Sequence, residues 1–311
     1  YTLSYRLTVL LCKLRKIPII MQNDATAITD ASQGFLRRLS KATLYPWMYG
    51  LADYWISSGD HNEIYLRHYG INLSKVVRGC YPVDRDRWET TITSRKDEIQ
   101  QIRQQLCWDE STVFYGFTGK YIERKNPLEF IDAIARAHQQ DPRIRGIMLG
   151  GGLLSDEINQ RLATLQNDEV INVGFVNQSK LPLYYAAMDV FVSTSLSDPH
   201  PLVISEAMAA GTPPILSDRC GNWGYRDTVQ HRYNGLVYPC QNISALTEAI
   251  LTLADNELRQ TYSQRSLEVF SGQDLNCELQ AFLTLISRMQ QAAIRPQTQN
   301  KATKAPIPNN I

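Results

Sequence analysis

Between residues 111 and 254 short apolar runs alternate with helical stretches so regularly that a parallel α/β sheet is the natural product. Apolar runs bounded by turn residues read as buried strands, and apolar residues at three- and four-residue spacing read as helices packed on them. The pattern predicts strands at 111–117, 144–149, 170–173, 189–195, 213–216 and 236–239, and helices at 127–138, 156–165, 181–187, 202–210 and 244–254. Strand and helix in strict alternation make βαβ units, and successive units make a doubly wound sheet covered on both faces. The helix from Pro127 is the best specified. Asn126 stands at its cap, Pro127 where a missing N–H costs least, and Leu128, Ile131, Ile134 and Ala135 share a face.

The first hundred residues use the same grammar more sparsely. IPIIM at 17–21, YWISS at 54–58 and KVVRG at 75–79 read as strands, with a helix over 35–51. Two or three strands are too few to close a doubly wound sheet, so residues 1–100 read as part of a Rossmann-like domain. TITSRKDEIQQIRQQ at 91–105 reads as a linker entering a solvated helix, residues 101–291 as a second domain, and the Pro- and Asn-rich 292–311 as a disordered tail. A length of 311 residues suits two cores. The opening YTLSYRLTVLLCKLRK has neither an initiator Met nor a small-residue cleavage site, which reads as a start inside a longer gene product.

Composition narrows the partners. Lys and Arg number 32 against 31 Asp and Glu, so no broad basic field exists to grip nucleic acid. Cys12, Cys80, Cys107, Cys220, Cys240 and Cys277 form no CxxC pair and point to reduced thiols in the cytoplasm rather than to zinc or disulfides. No apolar run approaches the roughly 20 residues of a membrane span. Trp47, Tyr45, Arg37 and Arg38 form a short pattern suited to peripheral membrane contact.

Chemistry concentrates in DPHPLVISEAMAAG, Asp198 to Gly211. A strand ends just before it and a helix begins near Leu202 or Val203, which aims free amides and a positive helix end at the sheet's carboxyl edge, a diphosphate site in outline. Asp198 before that helix and Glu206 one turn inside it suit a hydroxyl-rich ligand, the second as a ribose chelator. GFTGKYIERKNP adds Lys120 and Lys125 on another loop at a strand's carboxyl end, where two ammonium groups would neutralise a diphosphate. Each residue alone also has a structural reading: Asp198 as a helix cap, Glu206 as a dipole complement, the lysines as solvated loop residues.

Together these segments resemble the retaining glycosyltransferases of family 4, also called group 1. DPHPLVIS followed by EAMAAGTPPILSD is similar to the family's E-x7-E signature. GFTGKYIERKNPLEFIDAIARA, IMLGGG, INVGFVNQSKLPLYYAAMDVFVSTS and YNGLVYP fall in family order, strongly over 111–285, and GINLSKVVRGCYPVDRDRW gives a weaker likeness within 17–88. The resemblance implies a GT-B fold, with two Rossmann-like doubly wound domains of which the N-terminal, acceptor-side one is incomplete here. It implies transfer of a hexose from a nucleoside diphosphate sugar, UDP- or GDP-linked, to a glycan, lipid or small-molecule acceptor hydroxyl with retention, without metal or other cofactor. By the same resemblance Lys120 and Lys125 hold the diphosphate, with Gly119 in the same donor site, Glu206 the ribose and Asp198 the sugar. Backbone amides of Pro201 to Val203, Leu202 among them, would meet sugar and phosphate, and main chain at Phe175 and Val176 the base; His200 lies in the same loop. Three departures stand out: Asp198 replaces the usual Glu, Pro201 a frequent Gly, and Asn23 or Asp24 stands where the family carries a histidine.

Asp84-Arg85-Asp86 spells the DxD of metal-dependent glycosyltransferases, but it offers two ligands where a hard cation needs several. Gly150-Gly151-Gly152 lacks the third glycine of a dinucleotide fingerprint, because Ser155 stands there. His61, His68, His138 and His231 belong to no constellation. Two competing readings use the same fold: a non-catalytic nucleotide-sugar-binding subunit, and an epimerase or phosphorylase. A phosphorylase would need a lysine-bound pyridoxal phosphate, and nothing nominates that lysine.

Overall fold

The computed structural model describes residues 3–31, 35–106, 111–165 and 169–294. α1 (Leu3–Leu14), β1 (Ile20–Gln22), α2 (Ala27–Ala31), α3 (Phe35–Tyr49), β2 (Tyr54–Ser57), α4 (Asp60–His68) and β3 (Val76–Arg78) build a three-stranded parallel sheet in the order β1-β2-β3. α5 (Arg85–Ser94) and α6 (Lys96–Gln105) follow. The second half runs β4 (Val113–Lys120), α7 (Pro127–Gln140), β5 (Ile144–Gly151), α8 (Ser155–Leu162), β6 (Val170–Gly174), α9 (Leu181–Ala187), β7 (Val190–Ser193), α10 (Leu202–Ala209), β8 (Pro214–Ser217) and β9 (Leu236–Tyr238). α11 (Ile243–Leu253), α12 (Asn256–Ser271) and α13 (Leu275–Ile294) end the described chain.

The second sheet is parallel throughout, in the order β6-β5-β4-β7-β8-β9. From β4 the chain builds outward through β5 and β6, then returns to β7 on the other side and builds outward again. The carboxyl ends of β4 and β7 therefore border the point where strand order reverses, the place where doubly wound sheets bind ligands. Alternation along β4 fills both faces. Val113, Tyr115 and Phe117 meet Phe130, Ile131 and Ile134 of α7, while Phe114 joins Ile204 and Met208 of α10 on the opposite side. In the first half Tyr49, Trp55, Tyr65, Leu66 and Tyr69 form an aromatic-rich core.

The predicted strands and helices of the second half recur within a few residues of their expected limits. The stretch at 91–105 differs: most of it is helix in α5 and α6, with no extended linker between. Both helices pack on the second half, Trp88 lying with Tyr185, Ile204 and Met208. α13 crosses the other way, placing Ala281 and Leu285 on Ile56 of β2 while Glu278 accepts from the Cys80 amide at 2.9 Å. Packing thus crosses the expected boundary near residue 100 in both directions. α13 continues to Ile294, and 295–311 lie outside the described residues.

Asn126 does not cap α7 as expected. Its backbone is left-handed at φ 50°, and its amide donates to Glu129 instead of accepting from the helix. Glu129 is buried and its carboxyl is pushed up to about 7 by that burial, so the donor serves a larger need there than at the helix end. Asp84 accepts from the Arg87 amide as the N-cap of α5, which gives the DxD a structural role. Cys12, Cys80, Cys220, Cys240 and Cys277 are free thiols, and Cys107 lies outside the described residues. No described helix is long and apolar enough to cross a membrane.

Candidate active site

Two loops at the switch point are bound to each other before any ligand arrives. The Thr194 hydroxyl donates to the carbonyls of Lys125 and Asn126 at 3.0 and 2.8 Å, and the Leu196 amide donates to the Arg124 carbonyl at 2.9 Å. Arg124 reaches the Ser197 carbonyl at 2.8 Å. The result is a rigid junction between the β4 and β7 loops, carrying Lys125 on one side and Asp198 on the other. Their side chains meet directly, Lys125 Nζ donating to Asp198 Oδ2. Side-chain exposures of 16% and 10% set this pair well out of water. Asp198 is also pinned through its backbone, its amide donating to Arg219 and its carbonyl accepting from Gly221. It is therefore not the helix cap it would be if read alone; Pro201 holds that position.

α10 starts at Leu202; the Ile204 amide already donates to the Pro201 carbonyl at 3.1 Å, while the Leu202 and Val203 amides precede any intrahelical acceptor. Leu202 is half exposed, and Val203 packs against the core beneath. Glu206, one turn inside, accepts from the buried Tyr185 hydroxyl at 3.2 Å, and burial pushes its carboxyl up. Gly119 and Lys120 close β4 opposite Gly150 and Gly151 of β5, and the Lys120 side chain is exposed. At the end of β6 Phe175 is 84% exposed, whereas Val176 packs into the core.

His200 is the histidine of the site loop. Its Nδ1 is buried without a partner, and its ring lies 4.7 Å from that of Tyr81. Burial holds the imidazole down at about 4, below its usual 6.5, against the pull of Asp198. An imidazole depressed on folding stabilises the protein above its unfolded value and loses that contribution as pH falls from 6.5 toward 4. The stability advantage of the parent over His200→Gln is accordingly expected to shrink as urea titrations move down through that window. A difference that stays constant with pH would place the ring in water. His138 and His231 bond the Ile144 carbonyl and the Val237 amide, and His61 packs edge-on to Trp223 at 4.8 Å.

The first half supplies a wall that the sequence did not disclose. Ser58, Gly59, Arg78 and Tyr81, at the carboxyl ends of β2 and β3, face His200 and Asp227 across a cavity of 290 Å³. Arg78 bonds Asp60 at 2.5 Å, Glu63 at 2.9 Å and the Arg226 carbonyl at 2.7 Å. Asp227 accepts from the Asp60 amide at 2.7 Å, its carboxyl pushed up to about 6 by burial. The one available hint was that Asp60 and Glu63 follow the predicted strand at 54–58 and that Arg78 lies near the end of the one at 75–79, where charges need partners. Of the two candidates for the missing histidine, Asn23 accepts from Asn62 at 2.9 Å and helps hold its loop, while Asp24 is exposed. The Asp24 charge adds to burial in raising the Tyr81 phenol to about 12.

Known proteins are similar to this chain in sequence and in fold. "Putative glycosyltransferase YtcC" of Bacillus subtilis is 33% identical over 179 residues, covering 55% of this chain and 43% of that protein. The Escherichia coli "UDP-Gal:alpha-D-GlcNAc-diphosphoundecaprenol alpha-1,3-galactosyltransferase" is 26% identical over 209 residues, covering 66% and 52%. The chain thus spans about half the length of such relatives. A crystal structure of Anabaena HepE in complex with UDP superposes with a TM-score of 0.73 at 20% identity, over 90% of this chain and 75% of that one. The fold is accordingly that of the GT-B glycosyltransferases, as expected, with a Rossmann-like domain present. The profile of the family described as "Glycosyl transferases group 1" matches residues 98–268, more than half of the sequence, and includes the junction, α10 and the sheet that carries them. The chain belongs to the group 1 glycosyl transferases.

Proposed function

We propose that the chain binds a nucleoside diphosphate hexose and, in the protein to which it belongs, transfers the hexose to an acceptor hydroxyl with retention of configuration. The observation that carries this is the Lys125–Asp198 pair, held at the switch point beside the open start of α10. Lys125, Lys120 and the α10 amides meet the diphosphate and stabilise it as it leaves; fixed donors at a developing charge are the largest single source of such catalysis. Asp198 accepts from hydroxyls of the hexose, where it is already oriented by its ion pair. Glu206 takes the ribose diol, the main chain at Phe175 and Val176 the base, and His200 a neutral edge of the bound sugars. Residues 101–291 carry the donor site in this proposal, and residues 1–100 belong to the acceptor side.

UDP is the nucleotide to try first, because the HepE structures hold UDP or UDP-glucose and the E. coli relative is named for UDP-Gal. Calorimetric titration with UDP, GDP and ADP, without divalent metal, is expected to show saturable binding of UDP. Glu206→Ala should weaken it roughly ten- to a hundredfold, the worth of a hydrogen bond to a charged group. Equal binding by parent and variant removes Glu206 from the site, and no binding of any nucleotide overturns the donor reading. Binding without release of UDP on adding acceptor would favour the non-catalytic subunit, whose support is the absence of an imidazole at Asn23 and Asp24.

A further inference from the structure

Cys80 and Cys277 are far apart in sequence and in contact in the fold. Cys80 follows β3 in the first half, and Cys277 stands in the first turn of α13, which returns from the second half. Their thiols are hydrogen-bonded to one another. One carbonyl holds both residues: the Asp274 oxygen accepts from Cys80 Sγ at 3.4 Å and from the Cys277 amide at 3.1 Å. Two acids fix the backbones, Asp274 Oδ1 accepting from the Cys277 amide at 3.0 Å and Glu278 from the Cys80 amide at 2.9 Å. Both cysteines line the 290 Å³ cavity that His200 and Asp227 also border. The donor reading uses neither thiol.

The two thiols are unequal. Cys80 is 7% exposed, and burial, followed by the neighbouring Cys277, Glu278 and Asp274, pushes its thiol up. A thiol held in its protonated form is a poor nucleophile, so Cys80 does not attack a disulfide arriving from solvent. Cys277 is half-buried at the cavity wall. We propose that Cys80 and Cys277 are a reversible redox pair, oxidised by a small-molecule disulfide to an intramolecular bond that ties α13 to the loop after β3. Cys277 gives up its proton and attacks one sulfur of the small disulfide, forming a mixed disulfide and releasing one small thiolate, which takes up a proton. Cys80, already in contact, then attacks Cys277 Sγ; the S–S bond to the small group breaks, and the departing thiolate takes the Cys80 proton. Two protein sulfurs are oxidised and one small disulfide is reduced to two thiols. In the second step, contact between the partners offsets the low nucleophilicity of Cys80. The bond closes beside Tyr81, whose ring lies 4.7 Å from that of His200, so oxidation stiffens the wall facing the candidate site.

The whole chain is treated with hydroxyethyl disulfide and mapped by mass spectrometry without reduction. The expected product is monomeric on a non-reducing gel and yields a peptide in which Cys80 is linked to Cys277. Its urea midpoint should rise by about 1 M, because the bond closes a long loop in the unfolded chain, and dithiothreitol should return it to the starting value. Cys80→Ser should stop at the mixed disulfide, with the hydroxyethylthio group retained on Cys277, and Cys277→Ser should leave Cys80 unmodified. Cys240→Ser, which removes another half-buried thiol, should form the bond as the parent does. Circular dichroism of each reduced variant establishes that it is folded. A mixed disulfide that persists on Cys277 of the parent, a bond from either cysteine to any other, a dimer joined between chains, or two thiols that stay unmodified overturns the proposal. So does a bond that forms without moving the urea midpoint, because it would then tie nothing.

Discussion

Lys125→Ala is expected to slow hexose transfer by roughly a hundred- to a thousandfold, the usual cost of deleting one fixed donor aimed at a developing charge. The loss has two origins that can be separated. Alanine removes the ammonium proposed to meet the departing diphosphate, and among the described residues it leaves the nearly buried Asp198 carboxylate with Arg124, 3.9 Å away, for compensation. Breaking one side of a buried pair typically costs several kcal/mol, about 3 to 5, whereas neutralising both sides costs far less. Urea denaturation should therefore find Lys125→Ala destabilised, and the double variant Lys125→Met with Asp198→Asn restored toward the parent. Release of nucleoside diphosphate in a single turnover should stay low in both. A Lys125→Ala protein that transfers at the parental rate would end the assignment of this lysine.

Gly150→Ala should be the most damaging single methyl in the second half, with an expected loss of about 4 kcal/mol in denaturant titrations. Gly150 has φ +152°, and a β-carbon there would lie 1.9 Å from the Gly119 carbonyl oxygen and 3.0 Å from the Tyr121 ring. The oxygen is main chain within the β4–β5 pairing, Gly119 against Gly150, so it cannot swing aside as a side chain would. Gly151→Ala is the internal control. Nothing lies within 4 Å of its added carbon and its φ is not positive, so a change within about 0.5 kcal/mol is expected. This also accounts for the glycine run that resembled a broken dinucleotide fingerprint: two of its members let adjacent loops approach backbone to backbone.

The second half was legible because its signals are local. Strand runs in the second half are apolar on both faces, their helices keep a clean period, and the order of the two sets places Lys125 and Asp198 on loops at strand ends. That the two side chains touch was not legible, since 73 residues separate them. α12 escaped notice because it buries only Tyr262, Ser266 and Phe270 along sixteen residues, too few for a visible stripe. Asp227 sits in an irregular loop with no period at all, and its role depends on Asp60, 167 residues earlier. Asn126 shows a different limit: residue type and position both favour a cap, but a buried acid three residues on outbids the helix end for its amide. The 91–105 stretch misled for a related reason, because Trp88, the residue that fastens α5 to the second half, lies just before the polar run begins.

The return of α13 sets an order on the chain's synthesis. Ile56 and the amide of Cys80 are placed early, yet their covering atoms belong to Ala281, Leu285 and Glu278. As the polypeptide emerges, the second half can complete its own sheet, but the first sheet waits for residues some two hundred positions downstream. Contacts of such sequence separation are the slow ones to form. Ile56 therefore stays uncovered until α13 has been made, an interval in which an aggregating encounter or a chaperone can reach it before that helix does.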